Sequence, residues 1–333
     1  MDQLRDKFDT QNLYEVIENL PSQFTNAFDE VDVKIDSETT HIAFSGIGGS
    51  ALPANICKTY LSLTNNLNFH LKINRDYGLP KAVNHNWCGF FDSYSGNTEE
   101  TLSALAEAEK KGLKQIVIIA HGGELEKIAK EKDYMFVKVP DTKQPRMAYG
   151  YVVGAMLKIL ANSGLVDINF DELKEGVNNC LAKINQIQED GIRLAKSLEN
   201  KVPIIYSSNQ WKYVPMVWKI NFNENSKIQS FWNAIPEMNH NEMIGFTKQL
   251  AEYKIIVLKD EGDHPRIQKR MDTLDKVLDI ETEIITMQGK TVFEKLLNSL
   301  VLGLWSSYYL ALQYEIDPTP VALVEKFKKL MQA

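Results

Sequence analysis

Hydrophobic and polar positions fall into alternating blocks along this chain. Short β-branched runs of period two, or wholly apolar runs, are separated by longer stretches with a 3.6-residue rhythm. Strands are predicted at 41–47 (HIAFSGI), 67–74 (LNFHLKIN), 87–95 (WCGFFDSYS), 114–123 (KQIVIIAHGG) and 134–140 (YMFVKVP). The run at 114–123 is continuously apolar between polar ends, the pattern of a parallel strand buried on both faces. Helices are predicted at about 51–61, 99–111, 124–132 and 146–164, with Pro53 in a first turn, where a missing amide hydrogen costs little. Residues 17–28 read as a helix or turn, and 165–200 as helical. The alternation then restarts. Strand 202–209 and a helix and turn at 214–225 are followed by strand 253–260, helix 266–278, strand 280–289 and helices at 291–314 and 320–331. Strands alternating with helices imply an α/β fold with two similar units, each a mostly parallel β-sheet flanked by helices. The expected domains are 1–160 and 161–333, and 333 residues are enough for two cores.

Composition narrows the function classes. The chain is 44% hydrophobic and 24% charged, as globular proteins are, with a formal net charge of -7 and no basic tail. That argues against a nucleic-acid partner. It does not argue against a small anionic substrate, which a few local donors can hold. The polar N-terminus has no apolar signal segment, and no run of about 20 apolar residues would span a membrane, so a cytoplasmic protein is expected. Cys57, Cys88 and Cys180 are far apart and show no metal-ligand spacing, so buried free thiols are expected.

Two strand ends carry unusual chemistry. The loop GIGGS places Gly46, Gly48 and Gly49 beside Ser50, and the loop SYSGNTEETL places Ser93, Ser95 and Thr98 ahead of a helix. Glycines let a ligand approach the backbone, and a helix start offers unpaired amide hydrogens to an anion. Asn97 with Glu100 fits a capping box, with Thr98 the alternative cap. GIGGS is neither a dinucleotide fingerprint nor a Walker loop. Hydroxyls rather than Lys or Arg suit one phosphate monoester better than a polyphosphate. Turns with helix caps are the plainer reading of both loops.

The densest chemistry lies at 220–246, INFNENSKIQSFWNAIPEMNHNEMIGF, where Glu224, Glu237, His240 and Glu242 are the candidate acids and bases. No metal-ligand spacing is present there. Arg146, after Pro145, has two readings: a fixed cation brought to the crevice, or simply the cap of a strand end. In the last helix Thr319 suits the N-cap and Pro320 the first helical position. Val321, Val324, Lys328 and Met331 then share one face, while Lys326 and Lys329 point outward.

Together, GIGGSA, SYSGNTEETL, the PR at 145–146, NEN at 223–225, PEMNHNE at 236–242 and DPTP at 317–320 resemble the bifunctional phosphoglucose/phosphomannose isomerase family, whose members carry two sugar isomerase (SIS) domains. The similarity runs through nearly the whole chain, and the C-terminal motifs are the specific ones. The resemblance implies a metal-independent aldose–ketose isomerase, with no cofactor, interconverting glucose 6-phosphate and mannose 6-phosphate with fructose 6-phosphate through a cis-enediol. It implies that Ser50, Ser93, Ser95 and Thr98, with Gly48 and Gly49, hold the sugar phosphate. It implies that Glu224 shuttles the proton between C1 and C2 and that Arg146 stabilises the enediolate. By the same resemblance His240, supplied by the partner of a homodimer, and Lys328 assist ring opening, and Thr319 leaves room for both C2 epimers. A single-specificity glucose 6-phosphate isomerase, a non-catalytic sugar-phosphate sensor and an amino-sugar isomerase or synthase are the rival readings. For His264 and Arg266 three readings stay open: lining the crevice, binding the hydroxyls distal to the phosphate, or a subunit contact.

Overall fold

A computed structural model describes residues 1–331. In chain order the elements are α1 (Asp2–Phe8), α2 (Leu13–Glu18), α3 (Leu20–Asn26), β1 (His41–Ser45), α4 (Leu52–Leu63), β2 (His70–Asn74), β3 (Cys88–Asp92), α5 (Glu99–Lys110), β4 (Gln115–Ala120), α6 (Gly123–Lys132), β5 (Met135–Lys138), α7 (Tyr149–Asn162), α8 (Phe170–Ala182) and α9 (Ile184–Ser197). They continue with β6 (Val202–Ser208), α10 (Tyr213–Glu224), β7 (Phe231–Ile235), α11 (Glu242–Gly245), β8 (Tyr253–Lys259), α12 (Pro265–Met271), α13 (Leu274–Val277), β9 (Thr282–Thr286), α14 (Val292–Gln313) and α15 (Ala322–Met331). By contact the chain forms two compact units. One comprises Asn19–Leu181 with Lys290–Leu297, and the other Met1–Glu18, Ala182–Gly289 and the chain from Asn298. The domain limits at 1–160 and 161–333 remain a proposal from sequence.

The first unit holds a five-stranded sheet in the order β2-β1-β3-β4-β5, every pair parallel. The predicted two-sided burial of β4 holds along Ile116–Ala120. One face of the sheet is covered by α5 and α6, whose Ala104, Leu105, Ala108, Leu125 and Ala129 meet Ile116 and Ile118 in one apolar cluster. Elsewhere in this unit α7 packs on α3, and small residues set the distance. A Cβ at Gly154 would lie 2.3 Å from the Phe24 carbonyl oxygen, so no larger residue fits there. Gly154→Ala is therefore expected to destabilise the fold by about 1–2 kcal/mol, the overpacking cost less the helix propensity gained. Thermal unfolding should show a midpoint lower by several degrees; an unchanged midpoint would mean that α3 can shift at no cost.

The second unit holds a four-stranded parallel sheet in the order β7-β6-β8-β9, the same winding as the first four strands of the other unit. Ile204 and Tyr206 of β6 and Ile255 and Val257 of β8 form its core with Met271 and Leu274 of the covering helices. Two expectations need correction, and one strand adds to the sequence reading. The stretch at 231–235 is strand β7, paired through its backbone with β6, although Phe231 is exposed and the run shows no clean alternation. The helix predicted at 266–278 is two short ones, α12 and α13. The last helix begins at Ala322, with Val321 O accepting from the amides of Val324 and Glu325, so Pro320 is not its first residue and Thr319 is not its cap. The Thr319 amide donates instead to Asp317 Oδ1 at 2.9 Å, in a turn that buries Thr319.

Candidate active site

In a doubly wound sheet, ligands bind beyond the carboxyl ends of the strands where the order reverses. In the first unit that point lies between β1 and β3, and the two polar loops leave from these two strands. The Ser93 hydroxyl sits 2.8 Å from Thr98 Oγ1 and 3.4 Å from Ser95 Oγ, and it accepts the Gly96 amide at 3.1 Å. Ser50 Oγ accepts the Tyr94 amide at 3.1 Å, which ties the loop after β1 to the loop after β3. Thus Ser50, Ser93, Ser95 and Thr98 form one hydroxyl-lined cradle at the start of α5. Gly96 is essential to its shape. It has φ +69°, and a Cβ there would lie 1.7 Å from the Gly122 carbonyl oxygen. Gly48 also takes a positive φ, +56°, on the open side of the loop.

The capping box does not form. Thr98 is the N-cap residue of α5 by position, but its hydroxyl turns into the cradle rather than onto the helix. Asn97 Oδ1 accepts instead from the Glu124 amide at 2.9 Å, serving the loop that opens α6. The first turn of α5 therefore has no side-chain cap, which leaves its amide hydrogens facing the loop chemistry.

Arg146 is fully buried, and its Nη1 donates to Gln144 Oε1 at 3.2 Å. The turn that carries it, Pro145–Met147, lies against the glycine loop: a Cβ at Gly49 would come within 2.6 Å of the Arg146 amide nitrogen. Gly49 thus lets the Ser50 loop and the Arg146 turn approach each other. His121, not singled out from the sequence, also lies at this edge, directly after β4. Its ring stacks on Tyr94 with centroids 5.3 Å apart, and Nδ1 lies 2.8 Å from the Val139 carbonyl oxygen. A carbonyl can only accept, so Nδ1 carries a proton. Its position after the most apolar strand was the available signal.

In the second unit the corresponding reversal point, between β6 and β8, is filled. Trp211 is buried there and donates from Nε1 to Asp260 Oδ2 at 3.0 Å. The candidate chemistry of this unit lies elsewhere. Glu224 is the last residue of α10 and half-buried. The turn after it is clamped: Asn225 Nδ2 donates to Ser307 Oγ at 2.9 Å and Ser226 Oγ to the Ser307 carbonyl at 2.6 Å. Lys227 Nζ donates to the carbonyls of Glu224 and Pro318, which joins the Glu224 turn to the segment carrying Thr319. Lys227 was not singled out from the sequence; its side chain works through backbone carbonyls, and no motif signals that.

The other acids of the 220–246 stretch have structural partners. Glu242 accepts from Tyr206 Oη at 2.7 Å and from Asn233 Nδ2 at 2.6 Å, so both oxygens are engaged. Glu237 is exposed and accepts from Asn241 Nδ2 at 2.7 Å. His240 is exposed in the turn Glu237–His240, beside a surface cavity of about 640 Å³ that it lines with Ile244, Phe246 and Val277. Lys328 is 62% exposed on α15 and pairs with Glu325 at 2.9 Å. Neither takes part in the clamp on the turn after Glu224. His264 acquires a role: Nδ1 accepts the Arg266 amide at 3.1 Å and caps α12. All three cysteines are free and buried. Among the described residues no helix is long and apolar enough to cross a membrane, and no group of three or more His, Cys, Asp or Glu side chains could hold a metal ion.

Two parallel α/β sheets of matching winding, one with a serine–threonine cradle at its reversal point, agree with the sugar isomerase (SIS) class that the motifs resemble. The profile described as bacterial phospho-glucose isomerase C-terminal SIS domain matches residues 187–331. A bifunctional phosphoglucose/phosphomannose isomerase of Caldicellulosiruptor bescii is 32% identical, over 95% of this chain and 98% of that one. One of Aquifex aeolicus is 30% identical, over 96% and 98%. A solved structure of a hypothetical protein from Thermus thermophilus superposes with a TM-score of 0.76, covering 99% of this chain and 92% of that one at 14% identity. The chain belongs to the bifunctional phosphoglucose/phosphomannose isomerase family and is an isomerase of that type.

Proposed function

We propose that the chain interconverts glucose 6-phosphate and mannose 6-phosphate with fructose 6-phosphate, without a metal or other cofactor, through a cis-enediol(ate). The observation that carries this reading is the hydroxyl cradle, with Ser93 Oγ 2.8 Å from Thr98 Oγ1, in a chain of this family. A neutral cradle on an uncapped helix start suits a single phosphate monoester. Ser50, Ser93, Ser95 and Thr98, with the backbone of Gly48 and Gly49, hold that phosphate. Glu224 moves the proton between C1 and C2, and Arg146 stabilises the enediolate oxygen. Glucose and mannose 6-phosphates differ only at C2. Loss of the C2 proton takes both to one enediol, so dual specificity needs only tolerance at C2, which Thr319 provides.

Ring opening falls to His240 and Lys328. His240 is exposed in the single chain, which fits a side chain supplied across the interface of a homodimer. Initial rates on glucose 6-phosphate and mannose 6-phosphate, measured side by side on EDTA-treated protein with fructose 6-phosphate as product, test the reading. Comparable rates support it. Turnover of glucose 6-phosphate alone would replace it with the single-specificity isomerase, and turnover of neither would overturn the catalytic roles.

A further inference from the structure

Behind the cradle lies a buried acid that the reaction does not use. Asp92 ends β3, immediately before Ser93, and is 2% exposed. Its Oδ2 has no hydrogen-bond partner. Tyr149, at the start of α7, is also fully buried, and its hydroxyl has no partner either. Such groups are costly to leave unsatisfied. Both residues line one cavity of about 10 Å³, whose walls also include Gly49, Ser50, Tyr94 and Pro145. That is about the space one water needs, and two polar partners suffice to hold it. The cavity shares Gly49 and Ser50 with the cradle, and Ser50 Oγ is bonded to the Tyr94 amide.

We propose that one buried water links the Asp92 carboxyl to the Tyr149 hydroxyl, and that this acid–water–phenol link fixes the Gly49–Ser50 wall and thereby sets affinity for the substrate phosphate. Asp92 and Tyr149 are positioning residues, and the affinity half of the inference rests on the phosphate reading of the cradle. In this link Asp92 is the neutral acid: it is buried, and its Oδ2 has no hydrogen-bond partner to stabilise a charge. Burial pushes its carboxyl well above the usual carboxylate range. The titratable and charged groups on the surrounding elements are Tyr94 with its partners His121 and Asp141, Tyr149, Arg146 and, on α5, Glu99 and Glu100; β4 presents apolar Ile119 opposite Asp92. The shift comes from desolvation rather than from any of these. An ionised Asp92 would place a negative charge directly behind a phosphate dianion, so phosphate binding should weaken as Asp92 loses its proton.

Asp92→Asn keeps the shape and cannot ionise. The expected result is a KM within about twofold of the parent wherever Asp92 keeps its proton, because both then hold an uncharged side chain. In the parent KM should rise with pH as Asp92 loses its proton, with kcat little changed, and in Asp92→Asn that rise should vanish. The substrate phosphate titrates near 6 in both proteins, so the difference between the two profiles isolates Asp92. Tyr149→Phe should raise KM several-fold at constant kcat. Superimposable KM profiles for the parent and Asp92→Asn would overturn the inference.

A second measurement needs no substrate. An acid neutral when folded and ionised when unfolded costs stability as pH rises from its unfolded pKa, about 3.9, towards its folded one. The thermal midpoint of Asp92→Asn minus that of the parent should therefore grow with pH over this window. A difference that stays flat would show Asp92 ionised in the fold and overturn the inference outright. A growing difference in a protein that binds neither sugar phosphate nor inorganic phosphate would support the neutral acid. It would also overturn both the cradle reading and the affinity half that depends on it.

Discussion

Glu224→Gln is expected to lower kcat by about 10²- to 10⁴-fold in either direction of the isomerisation, the usual loss when a positioned general base is removed. That corresponds to about 3–5 kcal/mol in the barrier. The substitution preserves size and hydrogen-bonding capacity and removes only the ability to take a proton. The backbone there should not move, because Lys227 holds the Glu224 carbonyl and Ser307 holds Asn225 and Ser226. KM should change little. Exchange of the C2 hydrogen with solvent, followed in deuterium oxide, should fall in parallel with kcat. If kcat drops less than tenfold, Glu224 is not the base, and exposed Glu237 becomes the next candidate. Glu242 would not, since Tyr206 and Asn233 occupy both its oxygens.

Removing two cradle hydroxyls together, Ser95→Ala with Thr98→Ala, is expected to lower kcat/KM by about 10²- to 10⁴-fold, because hydrogen bonds to a charged group contribute about 1.5–3 kcal/mol each. The division of that loss carries the information. If phosphate binding energy is partly used to reach the transition state, kcat falls as well as affinity. If the cradle only tethers the sugar, KM alone rises, and that outcome would sink the idea. Thr98→Ala also removes the 2.8 Å contact to Ser93. Ser93→Ala alone is the useful comparison: it leaves Ser95 and Thr98 in place and takes away only the hydroxyl, because the Gly96 amide keeps the Ser93 carbonyl as acceptor at 2.9 Å.

The chain's polarity pattern was sufficient for most strands and for the strand ends that carry chemistry. An apolar run such as Ile116–Ala120 can only be satisfied by burial on two faces, and that is a property of the run itself. The helix of α5 was equally plain, with Glu99 and Glu100 in its first turn and Lys110 in its last. Edge strand β7 was not. Its backbone pairs with one neighbour while Phe231 faces water, so burial leaves no alternating trace. Caps were ambiguous for a similar reason. Asn97 offers its oxygen to whichever amide lies nearest, and the nearest is Glu124, 27 positions along the chain.

Residue type and order alone determined the α/β class, the two glycine and hydroxyl loops and the motifs of the isomerase family, because each is local: a run, a turn or a short spacing. Only the tertiary structure decided which polar groups of those stretches are already engaged. Of the acids crowded into 220–246, Glu242 holds β6 to β7, and Lys227 fixes the turn after Glu224 through carbonyls that no motif marks. Asp92 and Ser93 are neighbours of similar polarity in the chain, yet one lines a small cavity and the other the cradle. Hydrogen-bond partners and desolvation belong to the packed fold, and they separate side chains that the linear chain presents as equivalent.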